Sequence, residues 1–119
     1  MKTILLIDDF RISNELLETD LKEAGYHVIS TQSAASGIRA LSEYTVDLVL
    51  SDYAMPGMNG LEFCREIRSV AKAQAPPVII LSVHYPPSQD ELQAHNIAHW
   101  VRKPYKKDQL IEIVDSLLK

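Results

Sequence analysis

Hydrophobic positions fall along this chain in two alternating rhythms. Short apolar runs at Lys2 to Ile7, Tyr26 to Ser30, Val46 to Ser51, Val78 to Leu81 and Trp100 to Arg102 are separated by longer stretches. In those stretches apolar residues recur every three or four positions. The first rhythm suits extended strands and the second amphipathic helices. Strand and helix signals that alternate from end to end predict a parallel sheet covered by helices on both faces. The run VDLVLS is almost wholly apolar, as a central strand buried on both faces requires.

Local chemistry places the helix ends. Ile12, Leu16, Leu17, Leu21 and Ala24 recur at helical spacing, and Gly25 follows as a left-handed stop. A second helix is expected from Ser33 or Ala34 to about Tyr44, with Ala34, Ile38 and Leu41 inward. MPGMNG reads as a loop, after which Asn59 and Glu62 form a capping box. The helix they open carries Leu61, Phe63, Ile67 and Val70 and fades into AKAQAPP. Ser88 caps a short fourth helix that ends near His95, with Asn96 in the left-handed position. Lys107 to Leu118 closes the chain with Leu110, Ile111, Val114, Leu117 and Leu118 inward. Right-handed crossovers and short connections then favour an α/β fold: a three-layer, doubly wound, flavodoxin-like sandwich whose five parallel strands run in the order 2-1-3-4-5.

Length and composition narrow the function. A chain of 119 residues is expected to form one domain over 1–119, with no room for a second folded module. It carries 12 basic and 16 acidic residues, net −4, and no basic stripe, so direct nucleic-acid binding is not expected. Its apolar stretches fall far below the roughly 20 residues that span a bilayer, and its N-terminus lacks a signal-peptide pattern. A cytoplasmic protein is the simplest expectation. The single cysteine, Cys64 in LEFCREI, fits a packing role in a reducing compartment.

Four of the five strands run straight into a polar residue: Asp8 and Asp9, Asp52, Ser82, and Lys103. In a parallel sheet these collect at one edge, and open α/β sheets place ligands outside the carboxyl ends of their strands. The predicted order puts the switch point between the first and third strands, beside the three aspartates. Like charges a few Å apart make each other's ionisation costly, and a retained proton or a bound cation relieves that cost. An oxygen-only cluster selects a hard ion, Mg²⁺ or Mn²⁺. An aspartate beside such an ion can act as a nucleophile toward phosphorus. Phosphoryl transfer then needs positioning and charge neutralisation, which the cation, the Lys103 ammonium and the Ser82 hydroxyl can supply.

With LLIDDF, SDYAMPGMNG, IILS and WVRKPY in this order, the chain resembles the receiver domain of two-component response regulators, including the single-domain chemotaxis type. The resemblance runs from Ile4 to about Leu118. It implies that Asp52 accepts a phosphoryl group from a histidine kinase or a histidine phosphotransfer protein. Asp9 would ligate Mg²⁺ with Asp52 and the backbone carbonyl of Ala54, while Asp8 would hold the ion through water. Ser82 and Lys103 would bind phosphoryl oxygens, and the Lys103–Pro104 bond would be cis. The resemblance also implies a switch: Ser82 is drawn toward the phosphoryl group, its loop follows, and Trp100 moves inward. The output is a population shift on the surface of the fourth helix, fifth strand and fifth helix that controls binding of an unidentified downstream protein. Such a domain catalyses only its own phosphoryl transfer and hydrolysis, and is not otherwise an enzyme. A homodimer formed on phosphorylation stays open, as does whether the receiver stands alone or belongs to a longer protein.

Several positions depart from the family pattern. Val83 stands where a small residue leaves room over the phosphoryl group, Trp100 where Tyr or Phe is usual, and Pro86 and Pro87 lie in the expected switch loop. Ala54 and His84 occupy positions that tune phosphate lifetime, and only His84 can orient a water. Two alternatives follow. A receiver-like interaction module working without phosphorylation is favoured by Val83. A small Mg²⁺-dependent phosphatase would need a second carboxylate where Ala54 stands, and a cap. A flavodoxin-like cofactor binder would need a Gly/Ser/Thr-rich phosphate loop after the first strand, which the sequence lacks. His95 and His99 are four apart but without a third ligand, His27 reads as an ordinary strand residue, and Met55 and Met58 are expected to serve loop packing.

Overall fold

A computed structural model describes residues 1–71 and 75–119. Among these, strands and helices alternate as β1 (Thr3–Ile7), α1 (Arg11–Glu23), β2 (His27–Thr31), α2 (Ala34–Glu43), β3 (Leu48–Asp52), α3 (Gly60–Ala71), β4 (Val78–Ser82), α4 (Gln89–Ala94), β5 (Ile97–Arg102) and α5 (Lys107–Leu118). All neighbouring strands pair in parallel, in the order β2-β1-β3-β4-β5. This is the doubly wound architecture that the alternating pattern requires. The expected fade-out of α3 falls partly on 72–74, outside the described residues.

Side chains on a strand alternate between its two faces, so each strand feeds two cores. From β1, Ile4 and Leu6 join Leu17 and Leu21 of α1 and Leu110 and Val114 of α5. Leu5 and Ile7 join Ala34 and Ala40 of α2 and Phe63, Cys64 and Ile67 of α3 on the other side. The central strand β3 buries Leu48, Val49 and Leu50 completely. Gly37 lets α2 approach the sheet: a Cβ there would lie 2.9 Å from Ile7 Cγ1 and 3.2 Å from Phe63 Cζ.

Helix ends follow the local chemistry. The Asn59 side chain accepts from Glu62 N at 2.9 Å, and Glu62 accepts from Asn59 N at 3.2 Å, a reciprocal capping box. Ser33 caps α2 and Ser88 caps α4. Gly25 at φ 101° and Asn96 at φ 59° take the left-handed positions that end α1 and α4.

Two expectations change. Ile12 and Leu16 do not face the core but are 64% and 63% exposed, while α1 buries Asn14, Leu17 and Leu21. Asn14, Leu17 and Leu21 are spaced i, i+3, i+7, so one polar residue completes the inward stripe. The fifth strand begins at Ile97, three residues before Trp100, because β4 pairs with Ile97 and with the exposed His99, the register passing over Ala98 as an irregularity.

Candidate functional site

β1 and β3 lie side by side with Ile7 opposite Ser51, so the two strands end within one residue of each other. The residues that follow, Asp8, Asp9 and Asp52, each offer a carboxylate oxygen, and these oxygens lie within 4.8 Å of one another. Their settings differ. Asp8 is buried, its N–H donates to the Thr31 carbonyl at 3.2 Å, and its Oδ1 accepts from Phe10 N at 2.9 Å. Asp9 is exposed, and Asp52 is partly buried.

Lys103 arrives from the end of β5. Its N–H donates to the Ser82 carbonyl at 2.8 Å, and its ammonium lies 2.7 Å from Asp52 Oδ1. The Lys103–Pro104 peptide is cis. Asp52 Oδ1 also accepts from Tyr53 N at 3.1 Å. Ser82, at the end of β4, is buried, and its hydroxyl oxygen accepts from His84 N at 2.9 Å. Ala54 is exposed in the loop after β3, whose course is set by Tyr53 N donating to the Leu81 carbonyl at 2.9 Å and Gly60 N to the Tyr53 carbonyl at 2.7 Å. The strand-end residues singled out from the sequence therefore meet at one edge. Burial pushes the Tyr105 phenol above its ordinary range, and the negative charges of Asp8, Asp20 and Asp52 add to that shift.

The loop from β4 to α4 is held from β5. Trp100 Nε1 donates to the His84 carbonyl at 2.9 Å, and its ring packs on Tyr53 with centroids 5.3 Å apart. Arg102 donates to the Val83 carbonyl at 3.2 Å and lies over the Tyr85 ring, 3.8 Å from its centroid. Val83 itself is 61% exposed, so most of its surface faces solvent. A hollow of about 530 Å³ between β5 and α5, bordered by Trp100, Tyr105, Glu112 and Ile113, lies apart from the carboxylates on the expected output surface.

Reading the sequence missed Asn14. A polar residue at an inward position of an otherwise apolar helical stripe was the available signal, masked by the adjacent Ile12 and Leu16. Cys64 is buried, and burial pushes its thiol up to about 12, as an inert packing residue requires.

Comparison with known proteins gives the family and the fold. The family described as "Response regulator receiver domain" matches residues 4–115. The chain belongs to this family of two-component signalling domains. It is similar to the transcriptional regulatory protein GlrR of Escherichia coli, 35% identical over 116 residues that cover 97% of this chain. The chain spans 26% of the length of that relative. Its fold is that of the Vibrio cholerae chemotaxis protein CheY4, with a TM-score of 0.89 and 24% identity across 99% of both chains. It is also similar to the response regulator protein TrrA of Thermotoga maritima, solved in complex with Mg(2+)-BeF: TM-score 0.84, 33% identity, 99% of this chain and 100% of that one. Among the described residues, no helix is long and apolar enough to cross a membrane.

Proposed function

We propose that Asp52 is the phosphoacceptor of this receiver and that Asp8, Asp9, Asp52 and the Ala54 carbonyl hold Mg²⁺, or Mn²⁺ in its place. The observation that carries this reading is the convergence of three carboxylates within 4.8 Å with the Lys103 ammonium 2.7 Å from one of them. The donor set fits a hard cation, being made of oxygen alone and drawn from two strand ends. When bound, the ion would offset the negative charge that a phosphoryl group adds beside the carboxylates.

In the transfer, a carboxylate oxygen of Asp52 attacks the phosphorus of a phosphohistidine on a histidine kinase or phosphotransfer protein. The new O–P bond forms as the P–N bond breaks, and the imidazole leaves with the electron pair and takes up a proton. Lys103 shifts its point charge from the Asp52 carboxylate toward a phosphoryl oxygen. Ser82, whose oxygen accepts from His84 N, turns its hydroxyl proton to another. That movement pulls on the loop whose His84 carbonyl anchors Trp100, which couples the phosphoryl group to the surface of α4, β5 and α5. Phe10, Ile12 and Leu16, each more than 60% exposed, leave apolar surface beside the acidic loop on which a donor protein can seat. The cytoplasm, where such donors present their phosphohistidines, is the compartment this reading assigns.

Beryllofluoride, which mimics a phosphoryl group on a carboxylate, tests the reading. With Mg²⁺ it is expected to produce a saturable change in Trp100 fluorescence that Asp52→Asn abolishes. An equal response in wild type and Asp52→Asn would refute the assignment.

A further inference from the structure

We infer that Asn14 is the positioning residue of the acidic loop: its buried side-chain amide fixes the peptide unit that joins Asp8 to Asp9 and so sets how tightly and how selectively the carboxylates bind a divalent cation. This rests on the reading of those carboxylates as a cation site.

Asn14 is 2% exposed, although it lies on a helix whose other inward residues are leucines. Its Nδ2 donates to the Asp8 carbonyl at 3.0 Å and to the Thr31 carbonyl at 2.8 Å. The Ser30 hydroxyl donates to its Oδ1, which fixes the amide with Nδ2 toward the two carbonyls. A buried amide is retained against an apolar stripe only when its polar atoms are paired, and here the partners come from the end of β2 and from the residue after β1. The first turn of α1, the end of β2 and the residue after β1 are tied at one point.

The tie falls at a consequential place. The Asp8 carbonyl belongs to the planar peptide that also contains the Asp9 nitrogen, so holding its oxygen limits rotation at both aspartate Cα atoms. Asp8 is further held by its N–H on the Thr31 carbonyl and by Phe10 N on its Oδ1. Asp9 has an exposed side chain, and its carboxylate inherits its direction from this backbone.

Rigidity matters more for one cation than for another. Mg²⁺ demands near-octahedral geometry with oxygens at about 2.0–2.1 Å, whereas Ca²⁺ accepts a looser shell at about 2.3–2.6 Å. Groups that orient ligands from behind typically change metal affinity by about 10- to 100-fold when removed. Loosening the loop is therefore expected to weaken Mg²⁺ more than Ca²⁺.

Isothermal titration calorimetry with MgCl₂ and with CaCl₂ tests this on wild type, Asn14→Leu, Ser30→Ala and Tyr26→Phe. Asn14→Leu keeps the side-chain volume and removes the amide. It should weaken Mg²⁺ by about 10- to 100-fold and move the Mg²⁺/Ca²⁺ preference toward Ca²⁺. Ser30→Ala removes only the hydroxyl that orients the amide; it should give a smaller change of the same sign, and it carries the test if Asn14→Leu does not fold. Tyr26→Phe removes a hydrogen bond to Asp115 of α5. It should lower the unfolding temperature while leaving both metal affinities as in wild type, which separates positioning from general stability. Wild-type affinity and preference in both Asn14→Leu and Ser30→Ala would overturn the inference alone. Absence of Mg²⁺ binding by wild type would overturn the cation-site reading and this inference with it.

Discussion

The Lys103 ammonium stands 2.7 Å from Asp52 Oδ1, joining the ends of β5 and β3 across the intervening β4. Without a cation, Lys103 is a positive charge held against a cluster of three carboxylates. Lys103→Met is expected to lower the stability of the metal-free protein by about 1–2 kcal/mol, between the values for exposed and buried pairs. It should also tighten Mg²⁺ binding, because the opposing charge is gone. Asp52 would still be modified, but the Trp100 fluorescence response to phosphorylation should fail. Urea unfolding, metal titration and fluorescence check the three parts separately, and an unchanged Trp100 response would remove the lysine from the switch.

Asp9 tests the electrostatic cost of the cluster from the other side. Its exposed carboxylate lies with Asp8 and Asp52 inside the 4.8 Å group. Asp9→Asn keeps the shape and removes one like charge, so the metal-free protein should gain about 1 kcal/mol in stability while losing Mg²⁺ affinity. Thermal unfolding with and without MgCl₂ reads both effects. A variant that is less stable without metal would show that the aspartates do not repel.

Alkaline pH should weaken the fold through Cys64. Burial raises its thiol from 9.0 to about 12, so between these values the unfolded chain releases a proton that the folded chain keeps. The unfolded state then binds fewer protons, and stability falls as pH rises, by up to about 1.4 kcal/mol per pH unit for one group. Tyr26 and Tyr105, also raised, act in the same direction above their ordinary value of 10.0. Urea unfolding of wild type and Cys64→Ala from pH 8 to pH 11 should show a shallower decline in the variant. Equal slopes would mean that the thiol ionises as easily when folded.

Gly37 sets two effects against each other. Gly to Ala in a helix interior ordinarily gains about 1 kcal/mol. Here the new Cβ would meet Ile7 Cγ1 at 2.9 Å and Phe63 Cζ at 3.2 Å, and overpacking of a core costs about 1–3 kcal/mol. Gly37→Ala is expected to be destabilising by about 1 kcal/mol, read by urea unfolding, since both neighbours are themselves fully buried.

The candidate site was legible in the sequence because its residues sit at strand ends, where a continuous apolar run stops abruptly and the next polar residue stands out. Asp8, Asp9, Asp52, Ser82 and Lys103 all have that position. Helix ends were legible where side-chain chemistry fixes them locally, as at Asn59 with Glu62, Ser88 and Asn96. The facing of α1 was not, because Ile12 and Leu16 mark one stripe and Leu17 and Leu21 another. The second wins because Leu17 and Leu21 pack into the core while Asn14 finds carbonyls at the ends of β1 and β2, partners up to 17 residues away in sequence. The start of β5 was hidden for a related reason: Ile97 and the exposed His99 are strand residues by virtue of pairing with β4, across a register shift that passes over Ala98, not of their own pattern. The pose of the loop that carries Val83 was hidden as well, since Trp100 and Arg102 hold it from another strand.

Intact mass after incubation with acetyl phosphate, with and without Mg²⁺, measured beside Asp52→Ala, decides whether this chain is a phosphoacceptor. The expected result is the gain of one phosphoryl group that requires both Mg²⁺ and Asp52. A gain that persists in Asp52→Ala, or no gain in wild type with Mg²⁺ from either acetyl phosphate or a phosphohistidine donor, would contradict it.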